Sequence, residues 1–216
     1  MIQHLTFSEV GGHTINEDAF VVRPHPDNPE CWIACLADGQ GGRAGGARAA
    51  QLACETIATL TEQYSPTDLA KSPDLWQYLL NQTDATVCHD HTAGFTTLIG
   101  LGIHDDQLAG ASCGDSAAVV LSTDKIFDLT AHQHKNPPVG SGEADNIPFQ
   151  QDLVSPWRLL LVSDGVWKYA GWDKMVKTLL RVSGALLLTE LQEAARLRGV
   201  RAFPDDFTVV LLEAPG

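Results

Sequence analysis

The chain has little positive charge and no long apolar run. Its 216 residues include only 14 Lys and Arg against 27 Asp and Glu, which gives a net charge of −13. Nucleic acids and anionic membranes are bound by clustered cations, so this composition argues against both as partners. No stretch approaches the roughly 20 apolar residues that a membrane-spanning helix requires. The first residues lack a basic start and a long apolar core, so we expect no signal peptide.

Cysteine is scarce and shows no pairing pattern. The five residues are odd in number and include no CxxC pair; they are Cys31, Cys35, Cys54, Cys88 and Cys113. A disulfide framework is therefore not indicated, and zinc binding is the less favoured alternative. Most of these residues lie in apolar segments, where thiols are commonly buried. We predict reduced thiols and a cytoplasmic location.

No internal repeat, linker or change of composition divides the sequence. The apolar fraction of 44% and the charged fraction of 19% are typical of a folded globular protein. A chain of this length can bury a core on both faces of a sheet. We therefore predict one domain that spans residues 1–216.

The apolar periodicity predicts an α+β protein. Strands are predicted at 2–10, 31–37, 158–163 and 207–213, and helices from Gly46, from Ser72, near 172–182 and near 185–198. Four short β-rich segments between residues 96 and 129 predict an antiparallel meander. The polar residues 131–156, which contain Pro and Gly, predict a surface loop. Two groups of strands and two pairs of helices favour a layered sandwich with the helices outside.

Acidic residues stand beside four of the apolar segments. The motifs are NEDAF at 16–20, CLADGQGG at 35–42, LLLVSDGVW at 159–167 and DDFTVVLLE at 205–213. Any Asp-Gly pair could form only a hairpin turn, but neither pair here is followed at once by a partner strand. Acids at strand ends can converge on one sheet edge, where protons or hard cations must neutralise them. The pattern predicts a divalent-metal site and hydrolytic phosphorus chemistry.

Six short motifs occur in an order that is found in a known family. They are NED at 16–18, DGxGGxxxG at 38–46, TT at 96–97, GDS at 114–116, SDG at 163–165 and D(D/N)xT at 205–208. Over nearly its whole length the chain resembles the type-2C metal-dependent Ser/Thr protein phosphatases. Each motif alone is weak, whereas the ordered set is specific. The resemblance implies a four-layer α-β-β-α sandwich, in which two mostly antiparallel sheets are flanked by helices.

The resemblance also implies a mechanism and its residues. Phosphoserine or phosphothreonine in proteins would be hydrolysed by a water activated between two divalent cations, Mn or Mg. Asp38 would bridge both ions, with Asp18 and the Gly39 carbonyl on one and Asp164 and Asp205 on the other. Asp18 and Asp38 would therefore be the catalytic pair. The implied partners are a phosphoprotein substrate and a Ser/Thr kinase or its targets, in signalling, and we expect a monomer.

Three features depart from the family pattern. The Arg that grips the substrate phosphate is replaced by His13, which predicts weaker phosphate binding and a more acidic pH optimum. Asp115 matches an acid that helps to bind a third metal, but the usual acidic partner is Lys168, which predicts no third metal. The flap near 131–156 is shortened.

These departures leave two alternatives to a protein phosphatase. The short flap would suit a phosphatase of small phosphoesters. His13 and Lys168 would suit a degenerate, non-catalytic domain that binds metal or a partner.

Overall fold

The computed structural model describes residues 1–41, 44–197 and 202–215. Gly42 of the DGxGG motif and Arg198, at the end of the helix predicted near 185–198, lie outside these ranges. The ten strands of the described residues are β1 Gln3–Glu9, β2 Asp18–His25, β3 Asn28–Asp38, β4 Leu98–His104, β5 Gln107–Cys113, β6 Ala117–Ser122, β7 Lys125–Asp128, β8 Ile147–Asp152, β9 Trp157–Val162 and β10 Phe207–Ala214. The six helices are α1 Gly46–Thr61, α2 Pro66–Lys71, α3 Pro73–His89, α4 Asp164–Ala170, α5 Trp172–Arg181 and α6 Gly184–Ala195.

The strands form two antiparallel sheets of five. One has the order β1-β10-β9-β6-β7 and the other β2-β3-β4-β5-β8. An apolar core that includes Leu36, Leu101 and Leu159 lies between the sheets. Helices α1 to α3 cover the outer face of the β2–β8 sheet, and α4 to α6 cover the outer face of the other. The predicted α+β, four-layer α-β-β-α sandwich is confirmed.

Burial on both faces explains the continuous apolar run in β3. Alternate side chains of a strand point to opposite faces of its sheet. Cys31, Ile33 and Cys35 therefore pack against the helices, whereas Ala34 and Leu36 pack against the second sheet. Because neither face meets water, both sets of side chains are apolar.

The meander predicted between residues 96 and 129 is wrong. Strands β4 and β5 form one hairpin and β6 and β7 another, but the hairpins belong to different sheets. The chain passes between the sheets at Gly114, whose φ of 123° lies in a region that L side chains rarely adopt. Periodicity predicts that a segment is a strand but does not identify its neighbour.

The loop predicted at 131–156 is only partly correct. Residues 147–152 form β8, which pairs with β5 at the edge of its sheet. Pro148 and the partial exposure of this strand remove the regular apolar pattern that would predict a strand. Proline is tolerated here because β8 is an edge strand. The structure also adds β2 and the short helix α2, which the sequence interpretation lacked. None of the helices in the described residues combines the length and apolar character needed to cross a membrane.

Candidate active site

The β2–β3 hairpin carries the first two predicted acids. The two strands pair so that Asp18, the first residue of β2, is directly opposite Asp38, the last residue of β3. Side chains of directly opposed residues lie on the same face of a sheet, with Cβ atoms about 5 Å apart. The hairpin register therefore brings these two carboxyl groups together at the end of the sheet.

The other sheet supplies Asp164 at the same end of the sandwich. Strand β9 ends at Val162, and Asp164 begins α4 after Ser163. The Asp164 backbone N–H donates to Asp38 Oδ2 at 3.4 Å, so residues from the two sheets meet here. Gly165, the second residue of α4, permits the close approach of the Asp206 backbone, because a Cβ on this residue would lie 2.1 Å from the Asp206 carbonyl oxygen.

Asp205 lies in the turn before β10, beside the predicted phosphate-binding residue. The Asp205 carboxylate accepts the Asp206 backbone N–H at 3.1 Å. The Nε2 atom of His13 lies 3.5 Å from Asp205 Oδ1. His13 and Asp205 therefore form one wall of the site, and Asp18, Asp38 and Asp164 form its base.

Asp206 is a structural acid that sequence reasoning did not separate from its neighbour. Its carboxylate is buried and accepts two backbone N–H groups, from Gly11 at 2.8 Å and from Glu17 at 2.6 Å. Charge-assisted bonds of this kind are among the stronger protein hydrogen bonds. Asp206 thus fixes the segment that leads into Asp18. The D(D/N)xT motif contained this residue but gave it no role.

Hydroxyl groups fix the backbone around Asp38. The Asp38 N–H donates to Thr97 Oγ1 at 2.9 Å, and the Thr96 hydroxyl donates to the Asp38 carbonyl at 2.9 Å. The next residue, Gly39, donates its N–H to the Glu17 carbonyl at 3.1 Å. These bonds give the TT motif a physical role as a support for the strand end.

The acids surround a cavity of about 470 Å³ at this end of the sandwich. Its walls include five of the six predicted site residues, and Asp18 lies beneath them. The lining residues are His13, Glu17, Asp38, Gly39, Gln40, Gly41, Thr96, Thr97, Gly114, Asp115, Lys135, Asn136, Pro138, Asp164, Asp205 and Asp206. The cavity is large enough for a phosphoryl group and the residue that carries it.

Burial and mutual repulsion disfavour the charged forms of the central acids. Burial raises the pKa of Asp18 from 3.8 to about 7, and the nearby charges of Asp206 and Asp164 also raise it. Burial also raises the pKa of Asp38 well above 3.8, and the charges of Asp18 and Asp164 raise it further. The pKa of Asp164 is raised by burial as well, which a hydrogen bond from Lys168 partly offsets.

The donor set fits hard divalent cations, although its side chains are not arranged as a ready ligand cluster. Neither carboxylate oxygen of Asp18 has a hydrogen-bond partner among the described residues, and both are buried. Such oxygens need a proton or a cation, and carboxylate oxygens suit Mg or Mn. Within residues 1–41, 44–197 and 202–215, no three His, Cys, Asp or Glu side chains are grouped closely enough to hold an ion. The Asp164 carboxylate is instead paired directly with Lys168.

Asp115 is bound by cations on two sides. Its Oδ2 atom lies 2.5 Å from Lys135 Nζ and 3.5 Å from Lys168 Nζ. The Trp167 indole N–H also donates to the Asp115 carbonyl at 2.9 Å. The prediction that Lys168 disfavours a third metal is consistent with this pairing and remains a prediction. Lys135 had no role in the sequence interpretation, because it lies in an aperiodic loop.

The two-sheet fold is that of the metal-dependent Ser/Thr phosphatases, and the family to which the chain belongs confirms the predicted enzyme class. Residues 8–194 match the family model for protein phosphatase 2C, and the chain belongs to this family. The resemblance carried by the six motifs is confirmed. No curated protein sequence matches the chain significantly.

Solved bacterial phosphatases share the fold. The serine/threonine phosphatase Stp1 from Staphylococcus aureus has a TM-score of 0.82 at 17% identity, over 100% of this chain and 96% of that one. The catalytic domain of serine threonine protein phosphatase PstP, in complex with two manganese ions, has a TM-score of 0.79 at 22% identity, over 100% and 99%. PppA, a regulatory component of the type VI secretion system (T6SS) in Pseudomonas aeruginosa, has a TM-score of 0.75 at 20% identity, over 99% and 97%.

Proposed function

We propose that the chain hydrolyses phosphoserine or phosphothreonine in proteins, with two divalent cations, Mn or Mg, as cofactors. One observation carries the proposal. Asp18, Asp38 and Asp164 come from three separate segments and converge beneath one cavity, where both Asp18 oxygens are buried without a partner. The manganese ions of the PstP structure, which has this fold, support the choice of cofactor.

The acidic residues of the cavity would share the binding of the two ions. Asp38 is paired with Asp18 across the hairpin and accepts the Asp164 backbone N–H, so it would help to hold both ions. Asp18 and the Gly39 carbonyl would hold one ion, and Asp164 and Asp205 the other. When bound, the two cations would acidify water and offset the negative charge of the phosphoryl oxygens.

His13 and the loop near 131–156 would receive the substrate. His13 lines the cavity opposite the base and can donate one hydrogen bond to a phosphoryl oxygen. Lys135, Asn136 and Pro138 line another wall, which supports the proposal that this loop is the shortened flap of a single domain at 1–216.

The cellular setting forms part of the proposal. All five cysteines are free thiols, which favours a reducing compartment and hence the cytoplasm. The substrate would be a phosphoprotein, and a Ser/Thr kinase would supply it in a signalling pathway. The name of PppA describes a regulatory role for a protein of the same fold, which supports this setting.

The experiment measures hydrolysis of a phosphothreonine peptide and of p-nitrophenyl phosphate, with and without Mn. We expect turnover of both with Mn and none after chelation. The Asp38→Asn variant should lose at least about 100-fold in kcat, because it removes a bridging charge. The Asp106→Asn variant serves as a control, because Asp106 lies in the exposed turn after β4. Equal rates for the wild type and Asp38→Asn would refute the mechanism.

A non-catalytic role is the second candidate, and one contact favours it. The Lys168 ammonium group contacts the Asp164 carboxylate directly, and it would compete with a metal ion for that group. If this contact keeps metal ions from Asp164, the protein would not hydrolyse phosphoesters, and its role would be to bind a partner. Hydrolysis of neither substrate would support this candidate, whereas hydrolysis of the small ester alone would identify a small-phosphoester phosphatase.

A further inference from the structure

Acidic side chains greatly outnumber basic ones in the cavity wall, although the proposed substrate is an anion. Its described lining includes six carboxyl groups, those of Glu17, Asp38, Asp115, Asp164, Asp205 and Asp206. Among the described lining residues, Lys135 is the one Lys or Arg side chain. A phosphomonoester carries nearly two negative charges at pH 7. Two divalent cations would offset about four of the six carboxylates, and Lys168, which is not among the described lining residues, pairs with Asp115 and Asp164. A cation at the wall itself would help to retain the phosphoryl group.

Lys135 is available for this contact. Its side chain is 63% exposed, and its Nζ atom lies 2.5 Å from Asp115 Oδ2 at the cavity wall. An ammonium group has three donors, so one bond to Asp115 leaves two for another anion. Asp115 itself is fixed by the Trp167 indole, which donates to its carbonyl at 2.9 Å.

The loop that carries Lys135 is fastened at several points. The Gly114 N–H donates to the carbonyl of His134, the residue before Lys135, at 2.8 Å. Further along the loop, Val139 exchanges backbone hydrogen bonds with Thr96 at 3.0 and 3.1 Å. A fixed loop holds its donors in place before the ligand arrives, which reduces the entropy lost on binding.

A buried carboxylate also holds this loop, at residues 140–144. Asp84, on α3, is only 4% exposed and accepts the backbone N–H groups of Gly140, Gly142 and Ala144 at 2.6, 3.1 and 3.1 Å. The fold therefore holds the backbone of the loop on both sides of Lys135.

We infer that Lys135, held by Asp115 on this fastened loop, binds the non-bridging phosphoryl oxygens of the substrate from the wall of the cavity. The inference rests on the proposed function and adds a residue to it. Lys135 is a binding group and takes no part in proton transfer. Its loss should therefore weaken affinity for phosphate and raise KM, with little change in kcat.

The test compares Lys135→Ala with Lys135→Arg and with Lys177→Ala, an exposed position on α5 that lines no described cavity. Binding of inorganic phosphate to the magnesium-loaded proteins is measured by calorimetry. KM and kcat are measured on p-nitrophenyl phosphate and on a phosphothreonine peptide at 50 and 300 mM salt.

We expect Lys135→Ala to raise the phosphate Kd and both KM values about tenfold, with kcat within about twofold. Lys135→Arg should stay within about threefold of the wild type, because it retains the charge. The salt dependence of KM should be smaller in Lys135→Ala, because one screened charge contact is gone. Lys177→Ala should match the wild type in every measurement.

The inference is overturned if Lys135→Ala and Lys177→Ala bind phosphate equally well, or if the wild type does not bind phosphate. A wild type that binds phosphate but hydrolyses neither ester would refute the proposed function instead. In that case the phosphate Kd of Lys135→Ala alone decides the inference.

Discussion

Asp84 offers the sharpest test of how the fold builds the wall of the cavity. This carboxylate is on α3, away from the proposed metal ligands, and three backbone N–H groups of the loop at 140–144 donate to it. Replacement by alanine would leave all three N–H groups without their acceptor. Replacement by asparagine would keep an oxygen for Gly140 and Gly142 but would turn an amide N–H₂ group toward the Ala144 N–H.

The expected loss in the free energy of unfolding follows from these three hydrogen bonds. A hydrogen bond to a charged group contributes about 1.5–3 kcal/mol when it is well buried. The three N–H groups here are only partly buried, so water can replace part of the loss. We therefore expect Asp84→Ala to lower the free energy of unfolding by about 3 kcal/mol, and Asp84→Asn by about 1–2 kcal/mol.

Urea denaturation followed by tryptophan fluorescence would measure both variants. The control is Asp74→Ala, an exposed acid in the first turn of the same helix, for which we expect a loss of about 0.5 kcal/mol. KM for p-nitrophenyl phosphate should also rise in both Asp84 variants, because the loop carries Lys135. An Asp84→Ala variant within about 0.5 kcal/mol of Asp74→Ala would refute the anchoring role of Asp84.

Two further predictions concern the base of the site. Because the folded pKa of Asp18 is about 7, above its ordinary 3.8, the metal-free protein should be most stable below pH 4 with respect to this group. Its free energy of unfolding should fall as the pH rises from about 4 to about 7, by on the order of 4 kcal/mol, and Asp18→Asn should reduce that slope; parallel slopes would contradict the assignment. Gly165→Ala would place a Cβ 2.1 Å from the Asp206 carbonyl. We expect a loss of at least about 2 kcal/mol in thermal or urea unfolding, and a loss below about 0.5 kcal/mol would show that this turn can relax.

The sequence predicted most elements of the fold but not how they are paired. The strand at 31–37 and the helix that begins at Gly46 were clear, because burial on both faces gives a continuous apolar run and burial on one face gives an apolar repeat. The helix predicted from Ser72 is confirmed as α3, which Ser72 caps by accepting the Leu75 N–H at 3.2 Å. The hairpins on either side of Gly114 were assigned to one meander, because pairing depends on contacts that are distant in sequence.

The acids of the candidate site were predicted from their motifs, whereas the residues that hold the neighbouring segments in place were not. Asp38 and Asp164 follow strong apolar strands, so their place at a sheet end could be inferred. Asp206 and Asp84 bind backbone groups of distant segments, and such bonds leave no pattern in the sequence. Lys135 lies in a loop without periodicity, and its importance depends on the acids that surround it in space.

The carboxylate of Asp206 also sets an order of assembly. It joins the β10 end of the chain to residues that lie 195 and 189 positions earlier. Contacts across such separations form late, because a long loop must close first. A nascent chain that ends before residue 205 would carry Asp18, Asp38 and Asp164 without the clasp that orients the segment leading into Asp18. We therefore expect the proposed site to form only after synthesis has passed Asp206 and this residue has bound Gly11 and Glu17.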